Sequence, residues 1–374
     1  MSRLSWMLCC VVVSACDMKE TNLEIDWTVA GKLPVGIDNQ EHIGVAGPVT
    51  GIIGDVLVVA GGANFPNGMT WDGGQKAYSK DVYLYTQDHN NGFTVSNTQS
   101  FSDSVAYAAN ISVEHSIYSV GGERNGTATA DVFRYFLENE SFQRAQLPSL
   151  PKQLTNGGVT RVNDYIYFVG GENADLVSNK VYRLKFEEAN SNWEEFAELA
   201  KPLTHAVITS DEKENIYIIG GRKRNTNAKS DMYDEVFELN LSSKKITLLD
   251  RLPEALAAGT GGYYNGSLIV IGGDNAHTFH QVEELIGAIN LESDENKKAE
   301  LIVKKNNMQR SHPGFSTNVW TYNLADKTWK SSNKLQGESP VTTTAIIKNG
   351  NIIIPSGEVR AGVRTNQILM GKIK

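Results

Sequence analysis

Beyond residue 16 this sequence has no cysteine; all three, Cys9, Cys10 and Cys16, lie in the first sixteen positions. No disulfide framework or cysteine-based metal centre can therefore exist in the remaining chain. Basic clusters are almost as scarce. The formal net charge is −8, and GRKRN at 221–225 is the one concentration of Lys and Arg that rises above background. Nucleic-acid binding needs a concentrated basic face, so that class of partner is excluded. The apolar run at 4–13 is too short to span a bilayer as a mature helix. What is present is ordinary for a globular protein: 374 residues, 40% hydrophobic and 21% charged, enough to bury a core and unlike a disordered or fibrous chain.

The start of the chain carries targeting information. Arg3 precedes the apolar run, which ends in Val13, Ser14, Ala15 and Cys16. A charged start, a short apolar segment and small residues before a cysteine make an export signal that resembles a bacterial lipobox. The expectation is a lipoprotein signal peptide over 1–15, acylation of Cys16, a polar tether over 16–23, and a lipid-anchored protein of the periplasm or cell envelope. Several acyl chains on one residue suffice for stable membrane attachment.

Internal repeats organise the rest. An apolar strand ending in a glycine pair, a variable loop and a second strand rich in Val, Tyr, Phe and Leu recur six times. The copies are VLVVAGG (56–62) with DVYLY (81–85), IYSVGG (117–122) with DVFRY (131–135), and IYFVGG (166–171) with KVYRL (180–184). IYIIGG (216–221) pairs with EVFEL (235–239), LIVIGG (268–273) with VWTYNL (319–324), and IIIPSG (352–357) with QILMGKI (367–373). A spacing of about 50 residues is the kelch period. The glycines mark a sharp turn where positive φ is needed. Phe142, Trp193 and Trp329 fall where a further strand would follow. Six four-stranded units imply an all-β, six-bladed β-propeller over 24–374. The last copy ends after its third strand, and the segment around Trp27 supplies the missing fourth, closing the ring. The insertion at about 274–318 mixes apolar positions with dense charge; it reads as one or two surface helices and as a place for a homodimer contact.

Two places in each unit should approach one mouth of the channel: the loop after the glycine pair and the loop before the first strand. The first set offers Asn64, Phe65, Glu123, Glu172, Arg222, Asn275, His277, Glu358 and Arg364; the second offers His42, Thr155, Asn156, His205, Thr260 and Thr343. Such mixed polarity suits a hydroxyl-rich ligand. His277 and His280 lack carboxylate partners at a defined spacing, so no metal site is expected. By themselves Glu358 and Arg364 read first as an ion pair that fixes a loop.

The glycine-pair units, the long loop GGANFPNGMTWDGGQKAYSKDVYLY (61–85) and above all SGEVRAGVRT (356–365) resemble the cyclically permuted mutarotase family, relatives of the bacterial N-acetylneuraminate (sialic acid) mutarotase. The similarity covers essentially all of the chain after the signal, with the blades in rotated order. Gly357, Glu358, Arg364 and Thr365 fill the family's GE-x5-R-T pattern, which implies that Glu358 and Arg364 are catalytic. The resemblance implies a sugar mutarotase that interconverts anomers of sialic acid by acid–base ring opening, without a cofactor. In that reading Arg364 holds Glu358 ionised and anchors a substrate carboxylate or the ring-opened oxygen. Asn64, Glu123, Glu172, Arg222, His205 and Asn275 are the expected sugar-binding residues. The alternative is a non-catalytic kelch module that binds a glycan or protein at the same mouth. A kelch-type copper radical oxidase needs a cysteine joined to a tyrosine, which this chain lacks after Cys16.

Overall fold

The computed structural model describes residues 23–35, 41–89, 91–186, 188 and 191–374. Cys16 and the signal-like segment lie outside the described residues. Six four-stranded antiparallel sheets stand around one axis. Blade 1 runs outward from Val49–Ile53 through Val56–Ala60 and Asp81–Gln87 to Phe93–Ser100. Blades 2 to 5 repeat this order over residues 109–147, 158–198, 207–248 and 260–331. Blade 6 contains Ile346–Lys348, Asn351–Pro355 and Gln367–Ile373, and its outermost strand is Ile25–Lys32 from the other end of the chain. There Ile25 faces Ile373 and Trp27 faces Gly371 in antiparallel register. Blade 6 is thereby completed to four strands like the other five.

The apolar runs lack alternation because both faces of each blade are covered. Six hydrophobic clusters result, one between each pair of neighbouring blades. Blades 1 and 2 share Val58, Leu84, Ile117 and Tyr135; blades 6 and 1 share Ile353, Ile368, Met370, Leu57, Val59 and Tyr85. The closing interface is built like the other five.

The glycine pair has a second use besides the turn. In blade 2 the N–H of Gly122 donates to the carbonyl of Leu154 in blade 3 at 2.9 Å, and Gly121 lies so close that a Cβ would meet that oxygen at 2.2 Å. The same stitch joins Gly62 to Val105, Gly171 to Leu203, Gly221 to Leu256 and Gly357 to Val45. The sixth copy has Ser356 in place of the first glycine. It keeps the left-handed backbone (φ 57°), and its hydroxyl bonds the carbonyls of Val45 and Thr365 and accepts the Val45 amide.

A ring of backbone hydrogen bonds lies at the axis. Gly47, Tyr107, Asn156, His205, Ala258 and Thr342, one ahead of each blade's innermost strand, all have positive φ. The N–H of each donates to the carbonyl of the residue before it in this circle, at 2.7–3.1 Å, and Gly47 closes the circle by donating to Thr342.

The insertion forms two antiparallel helices, α1 (His277–Leu291) and α2 (Glu295–Arg310). Glu283 of α1 accepts from the amide and hydroxyl of Ser230 in blade 4, while Arg310 at the end of α2 pairs with Asp72 of the long blade 1 loop at 2.6 Å. The insertion thus bridges two blades across one end of the propeller.

Candidate active site

The residue preceding each member of the backbone ring forms an antiparallel bridge with the residue following the glycine pair of the same blade. This pairing fixes a rim of six equivalent positions: Ala63, Glu123, Glu172, Arg222, Asp274 and Glu358. Four of them are carboxylates. Each carboxylate finds a different environment, and those differences define what the rim can do.

Glu358 and Arg364 face one another across a short hairpin made by Glu358–Arg360 and Val363–Arg364. The Arg364 guanidinium lies 3.3 Å from the carboxylate, its Nη1 donates to the Gly362 carbonyl, and its plane covers the Phe65 ring at 4.7 Å. The other carboxylate oxygen accepts the Gly362 amide at 2.8 Å. Arg364 is 5% exposed, and its Nε has no hydrogen-bond partner among the described residues. Arg364 is expected to favour the ionised form of Glu358 and does pull the carboxyl down, but burial pushes it above the usual glutamate range, and Arg364 and the Gly362 amide offset only part of that rise. Desolvation outweighs the adjacent cation because the pair sits in a recess, where removing a charge from water costs more than one ion pair returns.

Glu123 and Glu172 are more fully compensated. Glu123 accepts from Tyr78 at 2.5 Å and pairs with Lys76 at 2.6 Å. The Lys76 ammonium also lies over the Tyr107 ring at 5.0 Å, joining the blade 1 loop to the backbone ring. Tyr107 has a phenol pushed up to about 12, chiefly by burial, with Arg364 opposing the rise. Glu172 is surrounded by Arg222 at 3.3 Å, Arg224 at 3.5 Å and His205 at 3.8 Å. His205, at the ring itself, is held well below the ordinary histidine range by burial and then by Arg222, so it is neutral at pH 7. Arg222 also covers Phe279 of α1 at 5.3 Å.

Two sequence-selected residues stand one position away from the rim. Asn64 follows Ala63, and its amide is used on the Gly44 carbonyl at 3.0 Å. Asn275 is exposed and accepts the His277 amide at the start of α1; the rim position belongs to Asp274. His280 reaches the Ser230 carbonyl at 3.0 Å, and among the described residues no three metal-binding side chains converge. Thr260 and Thr343 line an axial cavity of about 130 Å³ together with ring residues such as Asn156 and His205. That volume is below the roughly 300 Å³ at which ordinary ligand pockets begin. No rim residue lines it. Sequence reasoning missed Asp274, Lys76, Tyr78, Tyr107 and Arg224. Aligning the six copies on the glycine pair would have found Asp274 directly.

The family model described as N-acetylneuraminate epimerase matches residues 147–374, more than half of the chain and the part that contains Glu358 and Arg364. The chain belongs to this family. Curated relatives that carry the name N-acetylneuraminate epimerase include one from Salmonella typhi, 27% identical over 158 residues, or 41% of this chain and 40% of that protein. Another, from Haemophilus influenzae, is 20% identical over 159 residues, 42% of each chain. The aligned stretch thus spans about two-fifths of the curated relatives' length. The solved structure of YjhT superposes with a TM-score of 0.62 over 93% of this chain and 100% of that one, at 15% identity, a likeness of fold. The propeller architecture is shared across the family match and the solved structure, while the rim chemistry is read from this chain's own side chains.

Proposed function

We propose that this protein is a mutarotase for N-acetylneuraminate, acting at the rim with Glu358 as the proton-accepting group and Arg364 as the anchor for the sugar's carboxylate. The observation that carries this reading is the recessed Glu358–Arg364 pair. Ring opening begins when a base takes the proton of the anomeric hydroxyl. A carboxyl raised above its ordinary range is a stronger base near neutral pH than an exposed one, provided it still ionises there. Arg364 keeps that ionised form accessible, and its planar fork suits a carboxylate ligand. Glu123, Glu172, Arg222 and His205 would form the remaining wall for the sugar's hydroxyls. Membership of the N-acetylneuraminate epimerase family supports the substrate.

The reading includes an address. A lipid anchor on Cys16 would hold the enzyme in the cell envelope, where sugar released outside the inner membrane is met first. Cys16→Ser should then move the protein from the membrane to the soluble fraction.

The test of activity is anomer exchange followed by NMR on N-acetylneuraminate and on neutral sugars. Exchange above the buffer rate, lost in Glu358→Gln with the fold intact, is the expected result. Binding of the sugar with exchange left at the buffer rate would instead favour a non-catalytic glycan-binding propeller.

A further inference from the structure

Ring opening needs an acid as well as a base, and the rim supplies a second carboxyl in the blade next to Glu358. Asp274 follows the blade 5 glycine pair as Glu358 follows the Ser356–Gly357 pair of blade 6, and each bridges to the residue before its blade's ring member, Ala257 and Val341 respectively. The two side chains therefore start from equivalent positions, one blade apart, on the same mouth. They are close enough for Asp274 to act electrostatically on Glu358.

Their partners differ. Glu358 has Arg364 at 3.3 Å. Glu123 has Lys76, and Glu172 has Arg222 and Arg224. Asp274 is the rim carboxyl with no ion pair among the described residues; it accepts the Ala276 amide at 2.7 Å. The charged and titratable groups that face it are Arg222 from blade 4, His280 from α1, His312 from the segment after α2, and Glu358 from blade 6. His312 is largely buried and held below its ordinary range mainly by that burial, so it contributes little positive charge near neutral pH.

We propose that Asp274 is the catalytic acid of this site, the partner that protonates the ring oxygen while Glu358 deprotonates the anomeric hydroxyl. The inference rests on the mutarotase reading. Burial raises the Asp274 carboxyl as it raises that of Glu358, and two neighbouring carboxyls in a recess hold one proton more readily than none. The ion-paired member is the better placed of the two to carry the charge, and the unpaired one to carry the proton. In the forward step Glu358 takes the hydroxyl proton, the electron pair of that O–H bond forms the second bond of the carbonyl, and the ring C–O bond breaks with its pair going to the ring oxygen, which takes the proton of Asp274. After rotation in the open keto form, the ring oxygen attacks the other face of the carbonyl. Asp274 recovers its proton from the ring hydroxyl and Glu358 returns its own to the carbonyl oxygen, so both groups end as they began.

The experiment compares the full-length wild type with Asp274→Asn and Asp274→Glu by NMR anomer exchange of N-acetylneuraminate across pH, with the buffer rate subtracted. For Asp274→Asn the expected result is a fall in kcat of about 100-fold or more, KM within about threefold of the wild type, and loss of the alkaline limb of the pH profile. An Asp274→Asn enzyme within threefold of wild-type kcat, or one that keeps its alkaline limb, overturns the assignment while the mutarotase reading stands. A wild type no faster than buffer overturns both. Should Asp274→Asn not fold, Asp274→Glu decides: a displaced alkaline limb supports the acid role, and a profile that superposes on the wild type removes it.

Discussion

The amide of Gly47 donates to the carbonyl of Thr342 at 2.7 Å, joining the first blade to the last across almost the full length of the chain. At the outer wall the two ends of the chain meet inside blade 6, where Ile25–Lys32 pairs with Gln367–Ile373. Ile25 is fully buried among Ile352, Ile354 and Leu369, whereas Val29 on the same strand is 53% exposed. Removing the Ile25 side chain should open a cavity in the seam between blades 5 and 6. Ile25→Ala is expected to lower unfolding free energy by about 2–5 kcal/mol, and Val29→Ala by less than about 0.5 kcal/mol. Denaturant titration of the two variants checks both figures.

Ser356 holds a left-handed backbone where five other blades use glycine. Its hydroxyl offsets that strain by bonding two carbonyls and one amide of the blade 1 junction and the hairpin end. Ser356→Ala keeps the strained φ and removes these bonds, leaving the Val45 amide without its partner while the Val45 carbonyl still accepts the Gly357 amide, so it should lose about 1–3 kcal/mol. Ser356→Gly loses the same bonds but relieves about 1–2 kcal/mol of backbone strain. Thermal melts should therefore rank wild type above or near Gly, with Ala lowest. Equal melting of Ala and Gly would show that the strain is not felt.

In the proposed role, Glu358 should make activity and stability respond to pH in opposite senses. Its folded carboxyl titrates above the unfolded one, because burial outweighs Arg364. Between the two values the folded state binds more protons, so stability falls as pH rises through that window and the penalty is fully present above it. Glu358→Gln removes the penalty. Its melting temperature at pH 7 should equal or exceed that of the wild type, with the difference shrinking in acid below the ordinary glutamate range. The base must be ionised to act, so the acid limb of the exchange rate should lie above that range. Arg364→Gln should move that limb further up, because Arg364 is the largest influence pulling it down.

The propeller was readable because its signals are local: glycine pairs, β-branched runs and a fixed period, each tied to a turn or a twice-covered strand. The closing strand around Trp27 was readable by subtraction, since the sixth unit lacked its fourth member. The pair Glu358–Arg364 was readable as a motif, but the outcome of their encounter was not. Whether burial or the arginine dominates depends on the recess formed by Phe65 and the hairpin turn, which no sequence spacing encodes. Asp274 and Asn275 illustrate another limit. A one-residue difference decides whether a side chain meets the rim or starts a helix, and it is settled by the bridge to Ala257. Tyr107 and Lys76 were hidden for a third reason, because they meet only after blade 1's loop folds over the entrance of blade 2's strand.

Arg364 separates the anchor role from the electrostatic one. Its Nη2 faces Glu358, Nη1 serves the Gly362 carbonyl, and its plane lies on Phe65, so the planar fork is held in one orientation. A lysine supplies the charge but cannot serve these directions together. Arg364→Lys should therefore leave the acid limb near its wild-type position while raising KM for N-acetylneuraminate by about 10- to 100-fold, the range expected for a lost charged hydrogen bond. Initial exchange rates over a concentration series read both quantities at once. An unchanged KM would show that the sugar's carboxylate is held elsewhere on the rim, with Arg222 the next cation to test.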